Sequence, residues 1–184
     1  MTRAQASALK IDVMVDSARW KEPRKVRSIV RRAVARAAAT TRSTGGAELA
    51  IVLTDDSAIR VLNRDWRGVD KATNVLSFPA KYRGPKPHLG DIVLAFETIA
   101  REAKSEHKPL AHHVAHLAVH GFLHLVGYDH ERDADALEME QTERDILRQL
   151  KIPNPYGDDP VAAKKAHRLS QERRRAQKQR ARKF

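Results

Sequence analysis

The chain has 184 residues, 41% of them apolar, and no cysteine. That is long enough for one domain with a buried core and something appended to it. The lack of cysteine excludes disulfides and thiolate metal sites, so any metal must be held by His, Asp or Glu, and it fits a reducing compartment.

Met1 to Lys10 is short and polar, without the apolar stretch of a secretory signal. No apolar run approaches the ~20 residues of a spanning helix. A soluble, cytoplasmic chain with no membrane association is expected. Residues 11–15 read as a strand. Pro23 stands where a helix can begin, and Val26, Ile29, Val30, Ala33, Val34 and Ala37 follow at helical spacing, with Arg24, Arg27, Arg31 and Arg32 largely elsewhere on the surface. Gly45-Gly46 breaks the chain. Glu48 to Thr54 reads as a buried strand. Thr54, Asp55 and Asp56 supply caps and first-turn acids for a short helix to about Arg64. A polar loop is expected from Asp65 to Asn74, a strand over Val75 to Phe78 closed by Pro79, a Gly- and Pro-containing loop from Lys81 to His88, and another strand from Leu89 to Ala95.

From Glu97 the pattern is helical. One helix runs to about His107, a second from Pro109 to about Val126 with Gly127 as its C-cap, and a third from about Asp133 to Leu150, ended by Pro153 and Pro155. The order predicts an α+β domain, a small mixed sheet of about four strands packed with helices around a central histidine-bearing helix, over residues 1–160. Residues 161–184 form a basic tail, expected to be disordered. Ten Lys or Arg there face one acid, Glu172, and this accounts for +9 of the formal charge of +12. Such a tail suits a polyanion such as nucleic acid, and it equally suits a solvated appendage.

Six of the nine histidines lie between His112 and His130. His120 and His124 are four residues apart, so on a helix they share one face with β-carbons roughly 5–6 Å apart. Gly127 lets the chain turn, which can bring His130 back as a third ligand. Three imidazoles leave a fourth position of a zinc ion open, the arrangement of catalytic zinc. The surrounding helix is apolar almost all round, and burying two imidazoles there without partners is costly. A metal is favoured over core histidines bonded to backbone carbonyls. His112, His113 and His116 lie earlier and lack the turn. They read as structural or surface residues, with a supporting role open to His116. The spacing matches the H-x-x-x-H-x-x-G-x-x-H pattern of zinc proteases, but the general-base Glu of those enzymes is replaced by Gly121. Peptide hydrolysis by that route is not expected.

Upstream, Arg64, Arg67 and Lys71 precede the short strand at Val75, and an Arg there can present a planar fork to a phosphate. Trp66 reads as a core residue rather than a base-stacking platform.

The segment Leu62 to Pro79, the strand Leu89-Gly90-Asp91-Ile92 and the histidines of 120–130 together resemble the bacterial YbeY family of metal-dependent endoribonucleases over most of residues 11–156. The resemblance implies one zinc ion on His120, His124 and His130, and a functional arginine at Arg67. It also implies action on single-stranded RNA, in maturation of the 3′ end of 16S rRNA on the small ribosomal subunit and in ribosome quality control, with ribosome-associated proteins as further partners. Two positions depart from the pattern: Trp66 stands where Tyr is usual, and Asn74 where Asp is usual. For a general base, Asp91 and Asp129 are candidates, and Asp129 could equally orient a ligand histidine. Two other readings stay open: a non-catalytic, metal-stabilised RNA-binding assembly factor, and a metallopeptidase with an unusual base.

Overall fold

The computed structural model describes residues 9–41, 46–80, 87–130 and 132–156. The elements run β1 (Lys10–Val15), α1 (Pro23–Thr41), β2 (Glu48–Thr54), α2 (Asp56–Arg67), β3 (Val75–Pro79), β4 (His88–Ala95), α3 (Phe96–Ser105), α4 (Leu110–Leu125) and α5 (Asp133–Gln149). The chain divides into two compact units that meet in sequence at Gly127 and Tyr128. The loop expected over 81–88 falls largely, and the basic tail wholly, outside the described residues.

In the first unit the four strands form one sheet in the order β1-β2-β4-β3. β1 and β4 flank β2 in parallel, and β3 pairs antiparallel with β4 as an edge strand. The sheet is mixed and the fold is α+β, as the sequence pattern predicts. Side chains alternate across a strand, and here both faces are used. Leu49, Ile51 and Leu53 of β2 and Ile92 and Leu94 of β4 point to one face and are at most 1% exposed. Ile92 lies against Gly121 of α4, which places α4 on this face. α1 packs alongside α4 through the buried stripe Val26, Val30, Ala33, Val34 and Ala37. On the other face Leu76, Val93 and Ala95 cluster with Ile59 of α2, and Val52, Leu62, Ala72 and Phe78 pack around them.

The N-termini of α2 and α3 satisfy one another. Asp55 caps α2 by accepting the Ala58 N–H at 3.1 Å. α3 has no side-chain cap from Ala95. Instead Asp56 accepts the Thr98 N–H at 3.0 Å and the Thr98 hydroxyl at 2.9 Å, while Glu97 accepts the Asp56 N–H at 3.0 Å. Each helix thus supplies a carboxylate to an orphan donor of the other, and the favourable helix dipole adds to both.

α2 runs one turn beyond the expected end at Arg64. Asp65, Trp66 and Arg67 continue the helix, and Gly68 stops it at φ 72°, its N–H donating to the Arg64 carbonyl at 3.0 Å. Only a residue tolerant of the left-handed region closes a helix this way cheaply. The segment that follows is pinned rather than loose. Asp70 takes both arms of Arg60 at 2.7 and 2.8 Å, and the buried Asn63 donates to the Lys71 carbonyl at 2.8 Å. The Arg60 guanidinium holds the Asp70 carboxyl below its ordinary pKa.

In the second unit α5 buries Met139, Glu143, Ile146 and Leu147. Glu143 is fully buried and accepts the Tyr156 hydroxyl. Burial and then the Glu143 charge push the Tyr156 phenol well above its usual range, so it stays a donor. Arg144 lies 5.2 Å from the centroid of the same ring and bonds Glu140 at 3.1 Å. These contacts fold the segment after α5 back onto the helix.

The Asp55 cap yields a stability prediction. Asp55→Ala should cost about 1 kcal/mol at neutral pH. Hydrogen bonds from the Ser57 hydroxyl and the Ala58 N–H hold the Asp55 pKa below its ordinary value. Its contribution is therefore complete above the unfolded carboxylate range and lost as pH falls through the lower folded value. Denaturant midpoints of the two proteins should differ at neutral pH and converge on acidification. A gap unchanged by acid would contradict the cap.

Candidate metal centre

α4 is the best-buried helix of the first unit, with Val114, Leu117, Ala118, Val119, Phe122 and Leu123 all at most 5% exposed. Gly121 is what lets it lie so close to the sheet. A β-carbon there would stand 2.9 Å from the Ile92 Cγ2 and 3.1 Å from the Ser77 Oγ. The position that carries the catalytic Glu in zinc proteases is thus filled by the sheet itself, and the sequence expectation against peptide hydrolysis gains a steric reason.

Beside this seam, four imidazoles follow one another along α4. Ring centroids of His113 and His116 are 6.2 Å apart, those of His116 and His120 6.5 Å, and those of His120 and His124 4.7 Å. The last pair is edge-to-face, and its two Nε2 atoms are 3.1 Å apart. That is less than the sum of two zinc–nitrogen bonds of ~2.0–2.1 Å, as two ligands of one ion require. Gly127 then adopts φ 94°, and its N–H returns to the His124 carbonyl at 3.1 Å. His130 follows three residues later. His120, His124 and His130 each offer one ligand nitrogen, and these nitrogens all lie within 4.8 Å of one another. The group could hold a metal ion. A cysteine-free set of two half-buried and one exposed imidazole fits a borderline cation such as zinc.

The remaining sequence candidates are placed as follows. His113 is 5% exposed, and its Nε2 pairs with Glu102 of α3 at 2.9 Å. The same Glu102 oxygen accepts the Asn74 side-chain amide at 2.9 Å. This Asn74–Glu102–His113 link between the start of β3, α3 and α4 has no signature in the sequence, because its three members are scattered along the chain. It also gives Asn74 a reason: an Asp there would set a second carboxylate against Glu102. Asp91 faces away from α4, since its neighbour Ile92 is the residue that meets Gly121. It pairs with His88 at 3.0 Å. Its case as a general base at the histidines is thereby lost. Asp129 accepts the His130 N–H at 2.7 Å, so its carboxylate holds the turn. Arg67 stands exposed on the last turn of α2, the helix on the sheet face away from α4. Among the described residues its side chain makes no ion pair or hydrogen bond. Trp66 overturns the expectation of a core residue. It is 70% exposed, and it meets Phe78 edge-to-face with centroids 5.6 Å apart.

A mixed sheet carrying a helix with two histidines in register, a glycine turn and a third histidine could hold the metal of a hydrolase. The comparisons name the family. The family model described as endoribonuclease YbeY matches residues 14–151. A protein of Rhodopseudomonas palustris named endoribonuclease YbeY is 52% identical over 165 residues, covering 86% of this chain and 97% of the relative. One of Nitrobacter hamburgensis with the same name is 54% identical over 153 residues, 79% of this chain and 80% of the relative. The chain belongs to the endoribonuclease YbeY family. A Thermotoga maritima protein solved in solution shares the fold at a TM-score of 0.52 and 20% identity, covering 82% of this chain and 97% of that one.

The seam at Gly121 is directly testable. Gly121→Ala gains helix propensity of about 0.5–1 kcal/mol, but forcing a methyl against the branched Ile92 costs about 1–3 kcal/mol. A net loss of stability is expected, with a larger loss for Gly121→Glu and no peptidase activity gained. A more stable Gly121→Ala protein would show that α4 is not held this close.

Proposed function

We propose that this protein is a zinc-dependent endoribonuclease that cleaves single-stranded RNA, with His120, His124 and His130 as the ligands of one zinc ion and Arg67 as a catalytic residue. The observation that carries this reading is the convergence of the three histidine nitrogens in a chain of the endoribonuclease YbeY family. The relatives' printed name supplies the reaction, and the donor set supplies the place for it.

Bound there, zinc would supply Lewis acidity, which polarises phosphoryl oxygens and acidifies water. The chain's own residues do the rest. The buried apolar body of α4 holds the His120 and His124 imidazoles in place. Gly127 and Asp129 hold the turn that carries His130. The exposed guanidinium of Arg67, which has no partner among the described residues, is available to a phosphate and would stabilise charge that builds on it during cleavage. Other cations add RNA affinity that weakens with salt. The basic segment of residues 161–184, proposed as a tail to a 1–160 domain, would contribute most of these.

The proposed biological setting is 16S rRNA 3′-end maturation and ribosome quality control in the cytoplasm, with the small ribosomal subunit and ribosome-associated proteins as partners. Among the described residues no helix is long and apolar enough to cross a membrane.

The test uses the purified full chain, an unstructured RNA oligomer and metal analysis. Wild type should carry about one zinc per chain and cleave internally, and a chelator should abolish cleavage. His124→Ala should lose the metal and lower activity by at least ~10²-fold, more than loss of a residue that merely supports a ligand. Arg67→Ala should keep the metal and lower kcat by about 10²-fold, with Arg67→Lys recovering only part. A His124→Ala protein with full metal content and undiminished cleavage would end the proposal.

A further inference from the structure

We infer that Trp66, braced by Phe78, is a stacking platform for an unpaired base of the RNA strand whose backbone Arg67 and Lys71 engage; the inference deepens the endoribonuclease reading and rests on it.

The two tryptophans of the chain have opposite environments. Trp20 is 5% exposed, sits edge-on to Phe96 and donates its indole N–H to the Thr54 carbonyl at 2.9 Å. That is a core residue with its polar atom satisfied. Trp66 is 70% exposed on the last turn of α2, and the flanking Val69 is 49% exposed. A large aromatic left open carries a cost in water that folding does nothing to remove. Yet the ring is not loose. Phe78 of β3 meets it at an interplanar angle of 63°. Phe78 in turn packs against the cluster of Ile59, Leu76, Val93 and Ala95. A braced, solvent-facing indole is the form that base stacking needs, because every base has a π-face and stacking asks for no hydrogen-bond partner.

Charge identifies the occupant. Arg64 is bound to Asp65, and Arg60 to Asp70. Arg67 and Lys71, on either side of Gly68, are both exposed and have no side-chain partner among the described residues. Uncommitted cations beside an open aromatic match a phosphate backbone with a free base, and an apolar protein partner would leave them unanswered. The position also suits the proposed cleavage. β3 is an edge strand. Its Ser77 lies under Gly121, next to His120, on one face, and the adjacent Phe78 carries Trp66 on the other. A single strand crossing this edge would meet the platform and the histidine face in turn. A duplex offers no free base face and would gain nothing from Trp66.

The experiment is a fluorescence titration of the full chain with a cleavage-resistant 2′-O-methyl oligoadenylate and with an abasic oligomer of equal length. The oligoadenylate should quench the exposed indole, and the abasic oligomer should bind without quenching. In Trp66→Ala the quench should vanish, single-strand affinity should fall about tenfold, and for a cleavable RNA KM should rise while kcat holds. Trp66→Phe should lose the quench yet bind nearly as wild type, which separates stacking from a folding defect. Equal quenching by the abasic oligomer, or wild-type affinity and KM in Trp66→Ala, would overturn the platform. If chelator-sensitive cleavage persists in that case, the nuclease reading survives without it. Base-dependent quenching in a protein that cleaves nothing would uphold the platform and remove the nuclease.

Discussion

The close approach of α4 to the sheet is the constraint on which the site depends. Gly121 has no side chain to hold the helix off Ile92 and Ser77, so the backbone of α4 comes down onto β4 and the edge strand β3. With that helix fixed by buried Val114, Leu117, Phe122 and Leu123, its histidine row has little freedom to rotate. Two imidazoles one turn apart then hold their Nε2 atoms 3.1 Å from one another, close enough to share one cation. The same contact removes the carboxylate that would make the motif proteolytic. One small residue thus sets both the rigidity of the site and the class of chemistry it leaves open.

Asp91, which looked available on the strand, is turned to the opposite face and paired with His88. Glu102, which meets the histidine row at His113, is committed to His113 and Asn74. Asp129 is committed to the backbone of His130. Each of these carboxylates is doing structural duty. A phosphodiester, unlike a peptide bond, brings its own negative oxygens, and positioning with electrostatic stabilisation can carry most of its cleavage. Having Gly121 where zinc proteases carry their general-base Glu is therefore less damaging to a nuclease than to a peptidase.

Much of the fold was legible because its signals are local. Alternation over β1, the apolar run of β2, the periodic stripe of α1 and the prolines before α1 and α4 each report on a few neighbouring residues, and the elements lie where these place them. The pair His120 and His124 was legible for the same reason, since helical periodicity fixes their shared face. What failed was non-local. The expected loop from Asp65 broke a helix one turn early, because Asp65-Trp66-Arg67 is polar on average and the stop signal, Gly68, came only afterwards. The mutual capping of α2 and α3, the Asn74–Glu102–His113 link and the return of Tyr156 to Glu143 join residues 11 to 42 apart, and no spacing rule announces them.

Trp66 shows why such failures gather at sites. A propensity argument assigns a tryptophan to the core because most large aromatics gain from burial. Extending α2 by one turn carries Trp66 and Arg67 out together, onto the final helical turn, before the chain reverses at Gly68. The reading of Trp66 as buried and the reading of Asp65 as loop are thus a single error, since a residue in a loop can fold inward and one fixed on that turn cannot. The turn leaves an aromatic face open, which is unfavourable to a chain that only had to fold, and beside it a guanidinium with no side-chain partner among the described residues. Local rules and tertiary structure disagree most where a sequence answers to a ligand as well as to its own core.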